Sequence, residues 1–195
     1  MRHRVFIAIN LPEDIKNNLS RYQEKWPELP ARWTKKDNLH ITLFFIGYVS
    51  DEELPEICQI TKEIALRHPA FSIKLNKICY GPPNKMPPRM IWIEGEKSEE
   101  LAELQKDLES SLFASSFKEL SGPGARLYAP HITFGRIRQW DFRRIEPEER
   151  PEVEENISFS FEASSIEVME SRLKRGGPEY TILELCPLTP LEVLQ

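Results

Sequence analysis

The sequence predicts a fold of mixed helices and strands laid out as two halves with the same element order. Three observations carry this. Strand-like and helix-like segments alternate along the chain. A proline-rich stretch divides it near the middle. One tetrad occurs once in each half, as His40-Ile41-Thr42-Leu43 and as His131-Ile132-Thr133-Phe134. With 195 residues, residues 1–195 are expected to form one domain, whose two lobes share an apolar core and are built around 40–43 and 131–134.

Taken in order, the apolar run Arg4 to Ile9 is the first strand. Leu11-Pro12-Glu13-Asp14 opens a helix lasting to about Lys25, since proline and acids suit a first turn. Trp26-Pro27 to Pro30 breaks it, Trp33 to Asn38 is a polar turn, and Leu39 to Gly47 is a buried strand. Ser50-Asp51-Glu52-Glu53 is a capping box for a helix to about Arg67, and Ala70 to Tyr80 is a strand. Four prolines between Gly81 and Pro88 remove donors and fix φ, so this segment is expected to cross between the halves. The opening pattern then recurs: strand Met90 to Glu94, a helix from Ser98-Glu99-Glu100 to about Ala114, a glycine-rich loop at Ser121-Gly122-Pro123-Gly124, and strand Ala129 to Arg136. The acidic run Glu146 to Glu155 is expected to be a solvated loop. A strand-rich stretch from Ile157 to Met169, a basic turn from Arg172 to Gly177 and a last strand from Tyr180 to Leu185 complete the chain.

Composition removes several function classes. Hydrophobic residues at 40% and charged residues at 29% exclude wholesale disorder and a membrane-embedded protein. The longest apolar stretch, Ile41 to Tyr48, is too short to span a bilayer, and the N-terminus carries no signal-peptide pattern, so the cytoplasm is the expected compartment. A net charge of −5 rules out a surface that binds nucleic acid everywhere; any phosphate must meet a local basic patch. Cys58, Cys79 and Cys186 form no CxxC pair and are expected to be free thiols, with neither zinc nor a disulfide framework. His3 and His68 are expected at the surface.

The tetrads carry the chemistry. Side chains alternate along a strand, so His40 and Thr42 share one face while Ile41 and Leu43 take the other, and likewise His131 and Thr133 against Ile132 and Phe134. If the halves face each other, two imidazoles and two hydroxyls surround one cleft, an acid and a base on opposite sides of a phosphate. Histidine suits this because its ordinary pKa near 6.5 allows either state around neutral pH. Single His-x-Thr patterns are common in half-buried sheets; two at matching points of a repeat outweigh that reading.

These residues resemble the two-histidine (2H) phosphoesterase superfamily, within it the RNA 2',3'-cyclic phosphodiesterases, also called 2'-5' RNA ligases. The similarity runs from Arg4 through Pro12, Arg32-Trp33, Asn38 to Gly47, Met90-Ile91-Trp92, Pro130 to Phe134 with Arg136, and Glu170 to Tyr180. The resemblance implies an α+β fold of two pseudo-symmetric lobes, each an antiparallel sheet flanked by helices, with the cleft between them. It implies a monomer acting on RNA ends or cyclic nucleotides without cofactor or metal, His40 as proton donor, His131 as proton acceptor, and Thr42, Thr133 and Arg136 on phosphate. An ideal strand would point Arg136, five residues after His131, away from the cleft, so a bulge, a twist or the strand's end is required. Trp33, Phe44 and Phe45 are candidates for base stacking, with core packing the favoured reading for each. The rival function is a non-catalytic module binding RNA ends in the same cleft. Transition-metal ligation by the histidines is disfavoured by the lack of an HxxxH pair.

Overall fold

The computed structural model describes residues 1–83, 85–115 and 129–190. The expected glycine-rich loop at 121–124 lies outside them. Strand β1 (Arg2–Asn10) leads into helix α1 (Glu13–Arg21), continued by a 3-10 turn at Tyr22–Lys25. Short strand β2 (Ala31–Trp33) and a 3-10 turn at Lys36–Asn38 precede β3 (His40–Ser50). The capping box forms as expected: the Ser50 backbone N–H donates to Glu53 Oε2 at 2.7 Å and the Glu53 N–H to Ser50 Oγ at 3.3 Å. Helix α2 (Leu54–Ala65) then connects to β4 (Phe71–Gly81).

The second half opens with β5 (Met90–Gly95) and α3 (Glu99–Ala114), where Ser98 Oγ accepts the Leu101 N–H at 3.0 Å as N-cap. The α3 face carrying Leu101, Leu104, Leu108 and Leu112 is buried, the spacing of one helix face. Strand β6 (His131–Ile137), the short α4 (Gln139–Arg143), β7 (Glu154–Ala163), β8 (Ser165–Lys174) and β9 (Gly177–Pro187) follow.

Among the described residues nine strands join one antiparallel sheet in the order β7-β4-β5-β6-β3-β1-β8-β9, with β2 beside β6. The α+β expectation holds, with one refinement. The lobes, β7-β4-β5-β6 and β3-β1-β8-β9, are not two separate sheets but meet at a single bridged pair, Ile41 with Ile132. Both residues are buried, at 2% and 0% exposure, in the apolar core that also takes in α2 and α3. A pairing that begins and ends at one residue lets β3 and β6 diverge, and divergence opens a cleft.

The proline segment does not cross between lobes. It closes a wide hairpin, since Gly81 pairs with Met90 and Tyr80 with Ile91 on adjacent strands of one lobe. With β2 beside β6, the chain crosses through α1 between β1 and β2 and returns before β3; it crosses again by α2, between β3 and β4, and by the step from β7 to β8. Prolines forbid helix and central strand but do not say which strands a loop joins. His3 and His68 are likewise not free surface residues. Their side chains are 12% and 13% exposed, His3 bonds Glu170 and Asp51, and His68 bonds Asp107. The acidic run also ends in structure: Glu154 and Glu155 begin β7 and pair with Lys77 and Lys25. Cys58, Cys79 and Cys186 are free, as expected. Among the described residues no helix is long and apolar enough to cross a membrane.

Candidate active site

The strand alternation places the tetrads as expected: Ile41, Leu43, Ile132 and Phe134 are buried, while His40, Thr42, His131 and Thr133 are partly open. The antiparallel register about Ile41 and Ile132 brings His40 alongside Thr133 and Thr42 alongside His131. Residues of two distant segments thereby form one four-residue cluster on one face of the sheet.

Each ring is oriented in the same way. His40 Nδ1 donates to the Asn38 carbonyl at 2.8 Å, and His131 Nδ1 donates to the Ala129 carbonyl at 2.8 Å. A carbonyl can only accept, so in each neutral ring Nδ1 holds the hydrogen and Nε2 is left as the working nitrogen. The Thr42 hydroxyl donates to His40 Nε2 at 3.0 Å.

The surroundings of the two rings differ. His40 lies between Phe6 (centroids 5.0 Å apart) and the edge-on ring of Tyr180 (5.2 Å). Burial there pushes its pKa down to about 4, opposed by the bond to the Asn38 carbonyl and assisted by the like charges of His131 and Lys16. His131 stacks nearly flat on Trp92, with centroids 3.8 Å apart and planes at 18°. Burial also lowers its pKa, against the bond to the Ala129 carbonyl and the carboxylate of Glu94, its cross-strand partner on β5.

Arg136 reaches the cleft through a bulge. On β5, Ile91 pairs with Gly135 and Trp92 with Thr133, so Phe134 has no partner and the alternation reverses beyond it. The same event follows the first tetrad: Ile7 pairs with Phe44 and Ala8 with Thr42, skipping Leu43. In both strands two successive residues are buried, Leu43-Phe44 and Phe134-Gly135, and the residue five after the histidine, Phe45 or Arg136, returns to the cleft face.

The cleft measures about 530 Å³; His40, Thr42 and Thr133 line it, whereas His131, expected there too, borders a small adjoining pocket with Pro130, Glu96 and Leu101. Its aromatic wall comprises Phe6, Trp33, Phe45 and Tyr180; its basic residues are Arg4, Arg32, Lys35 and Arg136, with no carboxylate among the described lining residues. This is the local basic patch that an acidic chain requires in order to hold phosphate. Trp33 faces the cleft while packing on Trp26 and Phe134, and Phe45 carries the Arg4 guanidinium 4.9 Å above its ring. Phe44 corrects the stacking expectation. It is 3% exposed, packed edge-on against Phe113 in the core, because the bulge turns it inward.

Trp92, Phe6, Arg4 and Lys35 are functional neighbours that the sequence does not single out. All but Lys35 stand on strands beside the tetrad strands, and only the pairing reveals their proximity. Among the described residues no group of three or more His, Cys, Asp or Glu could hold a metal ion.

The family model for LigT like phosphoesterase matches residues 9–92 and again residues 93–180, one copy for each tetrad. The chain belongs to the LigT-like phosphoesterases. This phosphoesterase is 34% identical over 182 residues to the RNA 2',3'-cyclic phosphodiesterase of Methanocaldococcus jannaschii, covering 93% of this chain and 98% of the relative. It is 30% identical over 190 residues to the protein of the same name from Thermotoga maritima, covering 94% of each. A crystal structure of Escherichia coli LigT complexed with 3'-AMP superposes with a TM-score of 0.74 at 26% identity, covering 97% of this chain and 99% of that one.

Proposed function

We propose that this phosphoesterase hydrolyses the 2',3'-cyclic phosphate at the end of an RNA or nucleotide to a 2'-phosphate, by acid/base catalysis with two histidines and without metal. The observation that carries the reading is the matched pair of imidazoles, each held by Nδ1 on a carbonyl two residues before it, on either side of one bridged pair. The names of the Methanocaldococcus and Thermotoga relatives, and LigT with 3'-AMP, support the substrate class.

In this reading His131 Nε2 takes a proton from the water that attacks phosphorus, and His40 protonates the departing 3' oxygen. Trp92 under the His131 ring and the nearby Glu94 carboxylate both favour the imidazolium that forms there. His40, with its depressed proton affinity, gives up a proton readily once the phosphate anion has drawn it in. Thr42 and Thr133 donate to the non-bridging oxygens as their charge grows, with Arg136 on the same face. Joining a 5'-hydroxyl to the cyclic end follows the same path with that hydroxyl in the place of water: His131 takes its proton and His40 protonates the departing 3' oxygen.

The test is incubation with an RNA ending in a 2',3'-cyclic phosphate and identification of the product. A 2'-phosphate end supports the reading; a 3'-phosphate end overturns the assignment of leaving group. Tight binding with no product makes the cleft a binding module instead.

A further inference from the structure

Gly81 ends β4 at a place where only a residue without a side chain fits, and Trp92 fills the space. An ideal Cβ there would stand 2.2, 2.4 and 2.6 Å from three atoms of the indole ring. Backbone conformation does not call for the glycine. The described glycines with left-handed φ are Gly47 and Gly177, and Gly81 stays in the ladder, paired with Met90. Glycine weakens a strand, and one kept there marks a close approach.

Register shows what the approach is for. Strands β4 and β6 flank β5, and Trp92 pairs with Cys79 on one side and with Thr133 on the other. Gly81 pairs with Met90, two residues before Trp92, and His131 with Glu94, two residues after it. Both are therefore diagonal neighbours of the indole, from opposite sides of β5. Gly81 meets it with bare backbone, and His131 with its ring, 3.8 Å away and 18° from parallel.

The indole is held by its faces rather than by its polar edge. Trp92 is 7% exposed, and among the described residues its buried N–H has no hydrogen-bond partner. A buried indole N–H ordinarily finds an acceptor. Here the plane of the ring is set by what lies against it. Neither Gly81 nor Trp92 is among the described residues that line the cleft, so both act on the reaction through His131.

We infer that Gly81 is a positioning residue of the reaction: by leaving its Cβ site to Trp92, it lets the indole lie flat behind His131 and hold that ring with Nε2 toward the phosphate. The inference rests on His131 being the proton acceptor and adds the residue, on the far side of β5, that seats it. The Ala129 carbonyl fixes one edge of the imidazole at 2.8 Å, and the stack of Trp92 on Gly81 fixes its face. From 2.2 Å, a Cβ must displace the indole by about 1 Å or more to reach ordinary contact, and a shift of that size at a reacting group can cost about 10² in rate.

The experiment makes Gly81→Ala in the native protein and in Trp92→Leu, where an apolar side chain without a flat face can move aside. In the native protein Gly81→Ala should lower kcat on a nucleoside 2',3'-cyclic phosphate by about tenfold to a hundredfold, with KM within about twofold. NMR titration should show the proton affinity of His131 displaced and that of His40 unchanged. Glu94 and Arg136, the charged groups acting on His131, are left in place by the substitution. In Trp92→Leu the same alanine should cost less than about twofold, the non-additivity of residues in contact. Alanine in open space at an ordinary φ raises the melting temperature, so Gly81→Ala should lower it in the native protein and not in Trp92→Leu. Native kcat and native His131 titration in Gly81→Ala, an equal loss in both backgrounds, or failure to fold in both overturns the inference. Native turnover in His131→Ala overturns the acceptor assignment beneath it, a separate result because the Gly81→Ala titration is read without turnover.

Discussion

The two half-sites share a backbone and differ in what surrounds it. In both, a histidine is held by the carbonyl two residues earlier, a threonine follows on the same face, and a bulge after the tetrad brings the fifth residue back to the cleft. The first half packs its ring between Phe6 and Tyr180, and Lys16 adds like charge. The second lays its ring on Trp92 beside Glu94. At the matching fifth position the first half has Phe45, with its cation supplied by Arg4 of β1, whereas the second has Arg136 itself. A repeat supplies symmetry of position, and the neighbours break symmetry of proton affinity. Acid/base catalysis needs both.

The harshest way to break the comparison is to remove one ring at a time. His40→Ala and His131→Ala should each lower kcat by about 10² to 10⁴, the usual worth of one positioned proton transfer, with circular dichroism unchanged. If one variant keeps most of its turnover, the half-sites are not partners in one reaction. Next come the hydroxyls: Thr42→Val and Thr133→Val should each cost about 10² to 10³ in kcat, as for the loss of one donor to a developing oxyanion. A loss confined to Thr42 would mean that this hydroxyl serves His40, which it bonds at Nε2, rather than the phosphate.

Trp92→Phe sharpens the difference between halves. It should reduce kcat by about tenfold or less, the scale of one cation–π contact, and should lower the His131 pKa further without moving that of His40, as read by NMR titration. The mildest effect is on stability. The folded state holds His40 neutral down to about pH 4 while the unfolded chain protonates it near 6.5, so this ring costs stability as pH falls through that window. His40→Asn should flatten the fall in melting temperature between pH 6.5 and 4; an unchanged slope would show that the ring is not desolvated. Incubation with EDTA should leave turnover in either half's variants and in the native protein unaltered.

Most of the tetrad cluster is legible in the strand period. Alternation alone told which face His40, Thr42, His131 and Thr133 would share, and the burial of Ile41 and Ile132 followed from it. The need for a bulge ahead of Arg136 was also legible, from parity, but its location at Phe134 was not. Phe44 turns into the core for the same reason, since skipping Leu43 reverses the alternation until Ile46 is skipped in turn. Strand β2 gave no signal because three residues cannot display a period, and it is the strand that carries Arg32.

The order of residues by itself determined local matters: which segments extend, which coil, which side of each strand is apolar, and that one polar pattern occurs twice. These depend on bond geometry and on interactions a few residues long. The folded chain alone decided that two segments touch at one bridged pair, that α2 rather than the prolines crosses between lobes, and that Trp92, Tyr180 and Arg32 meet the tetrads. Those outcomes are set by long-range strand register, which no local pattern encodes, and the proton affinities follow from it because burial depends on every neighbour at once.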